Sequence, residues 1–393
     1  DSFIISYFRD IMGIKPSLSL ELDSHTADAG LNTRIDAFID IVKSYRELEK
    51  EKKIIEQENT FKPAEIITKN DKIYVKTQKG KKYALANKKV NILIPTMGRM
   101  ISESFAATFK GLGMNAIELP DSDMKILNRG RANTTCKECL PMLLTTGGLL
   151  NYIDEKKKKD EILVYFMPAS SGPCRFGQYN VYLRNFIKKN KIEDVAVLTL
   201  SDKNNYAGFG LNARKATWKT LMVADVMTDI RNTLRAIAKD EKRAIEIFEE
   251  EWVKIKNSIA KISKLSLEKQ VLKSSLRFKK IPLKIPFKEA NKIALIGEIY
   301  VRQDQLSRQN LINRLAKKNI IVKIAPVAEF IYYINYIARN NILNNKQINT
   351  IEKIKLNLTY AYQTYQERKF KKIFEKSGLY DFEMIDIAKT IEH

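Results

Sequence analysis

Histidine is almost missing from this chain: His25 and His393 are the only two in 393 residues. A histidine-rich metal site or a His-based catalytic triad has almost no material to draw on. Cysteine is nearly as scarce. Three cysteines, an odd number in a long chain, exclude a disulfide scaffold and point to a reducing compartment. No apolar run approaches the ~20 residues of a membrane span, and no basic-then-apolar signal segment is recognisable. A cytoplasmic protein without a membrane partner is the expectation. The first residue is Asp1 rather than methionine, as expected for a piece of a longer polypeptide.

What is abundant is lysine. Lys and Arg outnumber Asp and Glu, 69 to 46, for a formal charge of +23. Phosphate neutralisation makes a nucleic-acid partner one reading of that excess. The lysines, however, travel with isoleucine and asparagine throughout, as in NKIALIGEIY and IARNNILNNKQINT, which reads as general composition bias rather than a binding stripe. The runs at 156–159 and 188–191 fall where helices should end and complement the helix dipole there. A basic surface also suits an anionic CoA ester or an acidic redox partner.

Along the chain, 1–88 is mixed: a polar loop DSHTADAG, a helical spacing from 32 to about 52, and a polar connector with a short strand at 73–75 and a turn at Gly80. From Val90 the pattern becomes regular. Apolar runs at 90–94, 116–119, 162–167 and 195–200 alternate with helical stretches at 102–112, 140–153 and 177–188, the signature of a doubly wound parallel sheet. Strand signals vanish between 213 and 276, where 217–238 and 242–263 read as long helices ended by Pro282 and Pro286. A second α/β unit follows, with strands at 293–300 and 320–324 and helices at 307–317 and 327–337, then a largely helical tail. The expected fold is α/β: two Rossmann-like doubly wound lobes joined by a helical segment. Its divisions are 1–88 (part of a lobe or a connector), 89–212 (a Rossmann-like lobe), 213–285 (helical) and 286–393 (second lobe).

The cysteines lie where such a fold does chemistry. Cys136 and Cys139 form C-x2-C in RANTTCKECLP, just before a helix, and Cys174 lies in MPASSGPCRFGQY, between a strand and the next helix. In an open parallel sheet, ligands collect at the carboxyl ends of the strands near a topological switch point. Both loops fall at that edge, so the three thiols can converge. Structural zinc asks for a fourth close ligand, and a thioredoxin-type C-x-x-C leaves Cys174 without a role. An iron–sulfur cluster accepts three cysteines when one iron takes another ligand. Three unrelated buried cysteines are the plain alternative. Gly172 and Pro173 let the backbone approach a ligand, the following helix start aims amide donors at it, and Arg175 adds positive charge or a surface ion pair. Pro141 suits a first helical turn, and Gly147-Gly148 permits close packing.

The segments IPTMGRM, CKECLPMLLTTGG, GPCRFGQYNVYLRNF, GEIYVRQDQLSRQNLINRLAKK and LDSHTADAGLNTRIDAFIDIV together resemble the dehydratase-like portion of large CoA-substrate-specific enzyme activase-related proteins. These are kin to the 2-hydroxyacyl-CoA dehydratases and the double-cubane cluster proteins, and the similarity spans about 20–340. The resemblance implies that Cys136, Cys139 and Cys174 hold a 4Fe-4S cluster, or a double-cubane 8Fe cluster across a dimer, with Gly172, Pro173, Arg175 and Gln178 in support. It implies an ATP-dependent activase domain with its own cluster, upstream in the same polypeptide, that drives one low-potential electron onto this part. The activity is then that of an (R)-2-hydroxyacyl-CoA dehydratase-like lyase, working through a ketyl radical of an acyl-CoA ester, or of a reductase of small molecules. This chain shows no glycine-rich phosphate loop or magnesium-binding acidic pattern of an ATPase, and the family's second lobe is expected to run on past its end. A non-enzymatic structural metal or scaffold protein and a basic nucleic-acid-binding protein are the alternatives.

Three more residues are candidates. His25 could act as an acid or base, or DSHTADAG could simply cap a helix. Glu298 and Arg302, in GEIYVR, end a strand where a substrate anion could sit, or form a structural ion pair. The AGFGLN segment lacks the third glycine of a phosphate loop and reads as a turn, and EFIYYINYI reads as helix core.

Overall fold

The computed structural model describes residues 5, 8–9, 11–20, 22, 28–51, 60–69, 72–134, 138–169, 174–200, 210–261, 264–340 and 350–387. Helix α1 (Asp28–Lys50) precedes an antiparallel meander of β1 (Glu65–Lys69), β2 (Lys72–Lys76) and β3 (Lys82–Ala84). Its register sets Ile66, Val75 and Tyr83 in one cross-strand row. Successive strand residues point to opposite faces. That row therefore turns inward while lysines such as Lys72 and Lys82 stay exposed.

The regular part begins with β4 (Val90–Ile94), α2 (Arg99–Gly111), β5 (Asn115–Glu118), α3 (Met124–Ala132), α4 (Leu140–Lys156), β6 (Ile162–Phe166), α5 (Phe176–Lys189) and β7 (Val195–Leu198). The four strands pair in parallel in the order β5-β4-β6-β7. One face carries Leu93, Leu163, Tyr165, Val195 and Val197 toward α4 and α5. The other carries Ile92, Ile94, Val164, Phe166 and Leu198 toward α2 and the meander. Cover on both faces is why these strands read as unbroken apolar runs rather than alternating ones. Helices α3 and α4 cross backbone to backbone. A Cβ added at Gly130 would lie 2.0 Å from the Leu143 carbonyl oxygen, and one at Gly147 equally close to that of Ile126.

Three helices follow without a strand between them: α6 (Leu211–Ile237), α7 (Glu241–Ala260) and α8 (Lys264–Phe278). The largest apolar core surrounds α6. Trp252 and Phe248 from α7 and Met100 and Ile101 from α2 enter it, with Phe278 at the end of α8. The remaining elements are β8 (Lys292–Leu295), α9 (Leu311–Ala316), β9 (Ile321–Ile324), α10 (Val327–Arg339) and α11 (Thr350–Glu375). Strands β8 and β9 form a two-stranded parallel sheet. Helix α6 clips onto it: Asn232 Nδ2 donates to the Val322 carbonyl at 3.1 Å, and Asp229 accepts from the Ile324 amide at 3.4 Å.

The chain is thus α/β, with parallel sheets and eleven helices among the described residues. Several boundaries differ from the sequence reading. The strand expected over 293–300 stops at Leu295, because its neighbour β9 ends at Ile324 ahead of Pro326 and leaves nothing to pair with. The helix expected over 307–317 begins only at Leu311, since Gln309 and Asn310 have positive φ (46° and 59°). The 242–263 helix ends at Ala260, and α8 is a separate element. Helix α3 and strands β1 and β3 had no counterpart in the sequence reading. No described helix is long and apolar enough to cross a membrane.

Candidate functional site

Because β4 lies between β5 and β6, the chain leaves the carboxyl end of β4 toward one side and that of β6 toward the other. The crevice between those two exits is the switch point at which parallel sheets bind ligands. Three described segments border it: 95–98 after β4, 167–169 after β6, and the start of α4.

Cys139 is the N-cap residue of α4, in extended backbone (φ −66°, ψ 150°), with Pro141 in the first turn. Its half-buried thiol is hydrogen-bonded to the hydroxyl of Tyr179 in α5. Cys174 is exposed and sits two residues before α5, its carbonyl accepting from the Gly177 amide at 3.3 Å. The Tyr179 ring is clamped edge-on by Phe176, centroids 5.4 Å apart. Three residues on, one turn along the same helix face, the Tyr182 hydroxyl donates to the Asn133 carbonyl at 2.6 Å. Two tyrosines of α5 thus reach across to the polypeptide that leads into the C-x2-C segment.

Burial pushes the Tyr179 phenol well above its usual range. The hydrogen bond to Cys139 adds to this, followed by the charges of Cys139, Cys174 and Glu298. With its pKa raised, that hydroxyl stays protonated at neutral pH, and a thiolate beside it would accept from it. Glu298 comes from the far sheet. Its exposed carboxylate accepts from the Val301 amide at 2.7 Å. Two residues on, the buried Tyr300 ring packs among Ile126, Leu127, Leu143 and Leu144 and fastens this segment against α3 and α4.

Of the residues singled out from sequence, Cys139 is hydrogen-bonded to Tyr179, whose hydroxyl senses Cys174 and Glu298 as longer-range charges. Arg302 holds the fold together here: its Nη1 donates to the Gly297 carbonyl at 2.9 Å and its Nη2 to the Pro326 carbonyl at 3.0 Å, tying the ends of β8 and β9. Its nearest carboxylate is Glu329 at 3.8 Å, not Glu298. Arg175 is the exposed N-cap of α5, in helical backbone and without a side-chain cap bond. Gln178 is exposed, and its amide donates to the Arg175 carbonyl at 2.8 Å. Cys136, Gly172, Pro173, His25 and the first half of AGFGLN lie outside the described residues. Among the described residues no group of three His, Cys, Asp or Glu is arranged to hold a metal ion. Tyr179 was missed from sequence. Its signal was its place five residues after Cys174, in the second turn of the helix that Cys174 introduces. No family model, no curated protein and no solved structure matches this chain.

Proposed function

We propose that this chain is the cluster-bearing, electron-accepting part of an ATP-driven system of the 2-hydroxyacyl-CoA dehydratase or double-cubane reductase kind, built on two Rossmann-like lobes and working in the cytoplasm. The reading rests on one observation: at a sheet's switch point the Cys139 thiol, at the start of α4, is hydrogen-bonded to Tyr179 of α5, the helix that Cys174 introduces. The donor set suits thiophilic iron, and the thiols stand at the starts of α4 and α5, where helix dipoles favour negative charge. Cys136, Cys139 and Cys174 would hold the cluster, with Cys136 in the segment outside the described residues. When bound, a 4Fe-4S cluster, or half of an 8Fe pair across a dimer, supplies a low-potential one-electron centre.

The protein's own groups set the surroundings. Tyr179 keeps its proton and donates to the Cys139 sulfur, which fixes that thiolate and lowers its electron density. Glu298 is an exposed carboxylate on the segment that Tyr300 fastens against α3 and α4, the candidate group to meet a bound acyl-CoA ester or small molecule. The partner is an ATP-dependent activase unit carrying its own cluster.

The test is iron and acid-labile sulfide analysis of anaerobically purified protein, with the electron paramagnetic resonance spectrum of the dithionite-reduced form. Iron, sulfide and a reduced-cluster signal are expected, and Cys174→Ser should strip the brown chromophore. One tightly bound zinc with no iron overturns the proposal in favour of a structural metal site.

A further inference from the structure

A second concavity lies on the same rim, beyond the β4 exit. It has a volume of about 80 Å³ and is walled by Gly98, Arg99 and Asp121 from the first sheet's loops, Arg231 and Arg235 from α6, and Arg308 from the segment before α9. Four guanidinium groups thus face a space lined by a single carboxylate. Arg99 is already matched: its Nη1 and Nη2 donate to Glu249 at 2.7 and 2.5 Å, and its Nε to Glu103 at 2.6 Å.

The other three are not matched in this way. Arg231 Nε is buried and makes no hydrogen bond to a described residue; Glu249 Oε1 lies 3.5 Å away. Arg235 Nη1 donates to Asn313, but its buried Nε likewise has no partner among the described residues. Arg308 forms no ion pair among the described residues and senses Asp304 and Asp121 only at a distance. Burial, first of all, depresses the pKa of each of the three, Arg231 to about 10. Desolvated cations of like sign crowded together are costly unless an anion joins them. Asp121 is one carboxylate among four guanidinium groups on the wall, and it already accepts from Thr96 Oγ1 at 3.4 Å. Gly98 (φ 85°) brings the backbone at the start of α2 against the buried Gln303 side chain, whose Oε1 lies 3.1 Å from where a Cβ would stand. The pocket is therefore closed on that side and sized for a small tetrahedral group.

We propose that this pocket binds a phosphoryl group, carried either by inorganic phosphate or by a phosphorylated small molecule. Guanidinium forks match phosphoryl oxygens in pairs, and the start of a helix such as α2 adds favourable dipole. Arg308, which has no ion pair among the described residues, is the guanidinium left for it, with Arg235 beside it on the wall. The proposal is independent of any metal chemistry at the cysteine rim.

The experiment is calorimetric titration of the purified chain, in phosphate-free buffer, with inorganic phosphate and separately with ADP. Saturable binding is expected for at least one of them, with Arg308→Gln weakening it by about tenfold or more. Lys110→Gln, which removes a surface cation at the far end of α2, should leave it unchanged. Tighter binding of ADP assigns the site to an esterified phosphate, and phosphate at least as tight assigns it to the free ion. Should Arg308→Gln not fold, Arg235→Lys keeps the charge, loses the fork and is expected to weaken binding in the same direction. No heat and no thermal stabilisation with either probe at millimolar concentration overturns the proposal. So does undiminished binding to a folded Arg308→Gln protein.

Discussion

The two parallel sheets are made from similar residues but are held in opposite ways. In the first, all five residues of β6 are buried and all four of β7, with helices on one face and a helix plus the meander on the other. In the second, β9 is buried at Ile321, Val322 and Ile324, but no residue of β8 is fully buried and Ile293 is 40% exposed, so one strand of the pair is enclosed and the other is not. Enclosure makes the first sheet a fixed platform for the switch-point crevice. The second acts as an arm, and its contribution to the site comes from the segment after β8, which carries Glu298 and Tyr300 to the first sheet's rim.

That contrast predicts a graded set of stability effects. The largest is Leu163→Ala in β6, where the side chain is fully buried among Leu93, Tyr165 and Val195. Chemical denaturation should show a loss of about 2–5 kcal/mol. A loss under about 1 kcal/mol would mean that the platform repacks freely.

The next effect concerns the joint between α6 and the second sheet. Burial raises Asp225 and Asp229 on α6 to about 7, although Asp225 accepts from the Val327 and Ala328 amides at 3.1 Å each. Carboxyls whose folded pKa exceeds the unfolded one hold extra protons in the folded state. Their contribution is present at low pH and is lost as pH rises from about 4 to about 7, at up to about 1.4 kcal/mol per pH unit for each group. Asp229→Asn cannot ionise, so its denaturation free energy should match the wild type near pH 4, exceed it at pH 8 and fall less steeply between. Parallel curves for the two proteins would remove Asp229 as a titrating group.

The smallest effect is Ile293→Ala in β8, expected to cost under about 1 kcal/mol because half-exposed side chains leave little cavity behind. A cost equal to that of Leu163→Ala would abolish the distinction between platform and arm.

How much of this was legible in the sequence follows the same division. The enclosed strands announced themselves as apolar runs, and α5 was placed within a residue or two at each end (expected 177–188, found Phe176–Lys189). The meander was only glimpsed at 73–75, because a strand of three to five residues with one buried face carries little periodic signal among so many lysines. Helix α3 is nine residues long, and its key residue, Gly130, reads locally as a helix breaker. Only its partner Gly147 across the crossing explains it. At the candidate site the loops that carry Cys139 and Cys174 could be read from strand–helix alternation. Tyr179 could not, since its role depends on how α5 is rotated against α4. The arginine pocket was invisible for a similar reason. Arg99 and Glu249 stand far apart in sequence, and no local pattern links Arg308 to Arg231.

Helix α6 packs α2 on one side and β9 on another, and at 27 residues it runs about 40 Å. Between Leu211 and Ile237 it contains neither proline nor glycine, the residues at which long helices most often kink. A shared rod without a joint denies the two sheets any hinge within it. Any change in how the second sheet's loops meet the first sheet's rim is therefore left to the turns around it, such as 296–310, which carries Glu298 and Arg308.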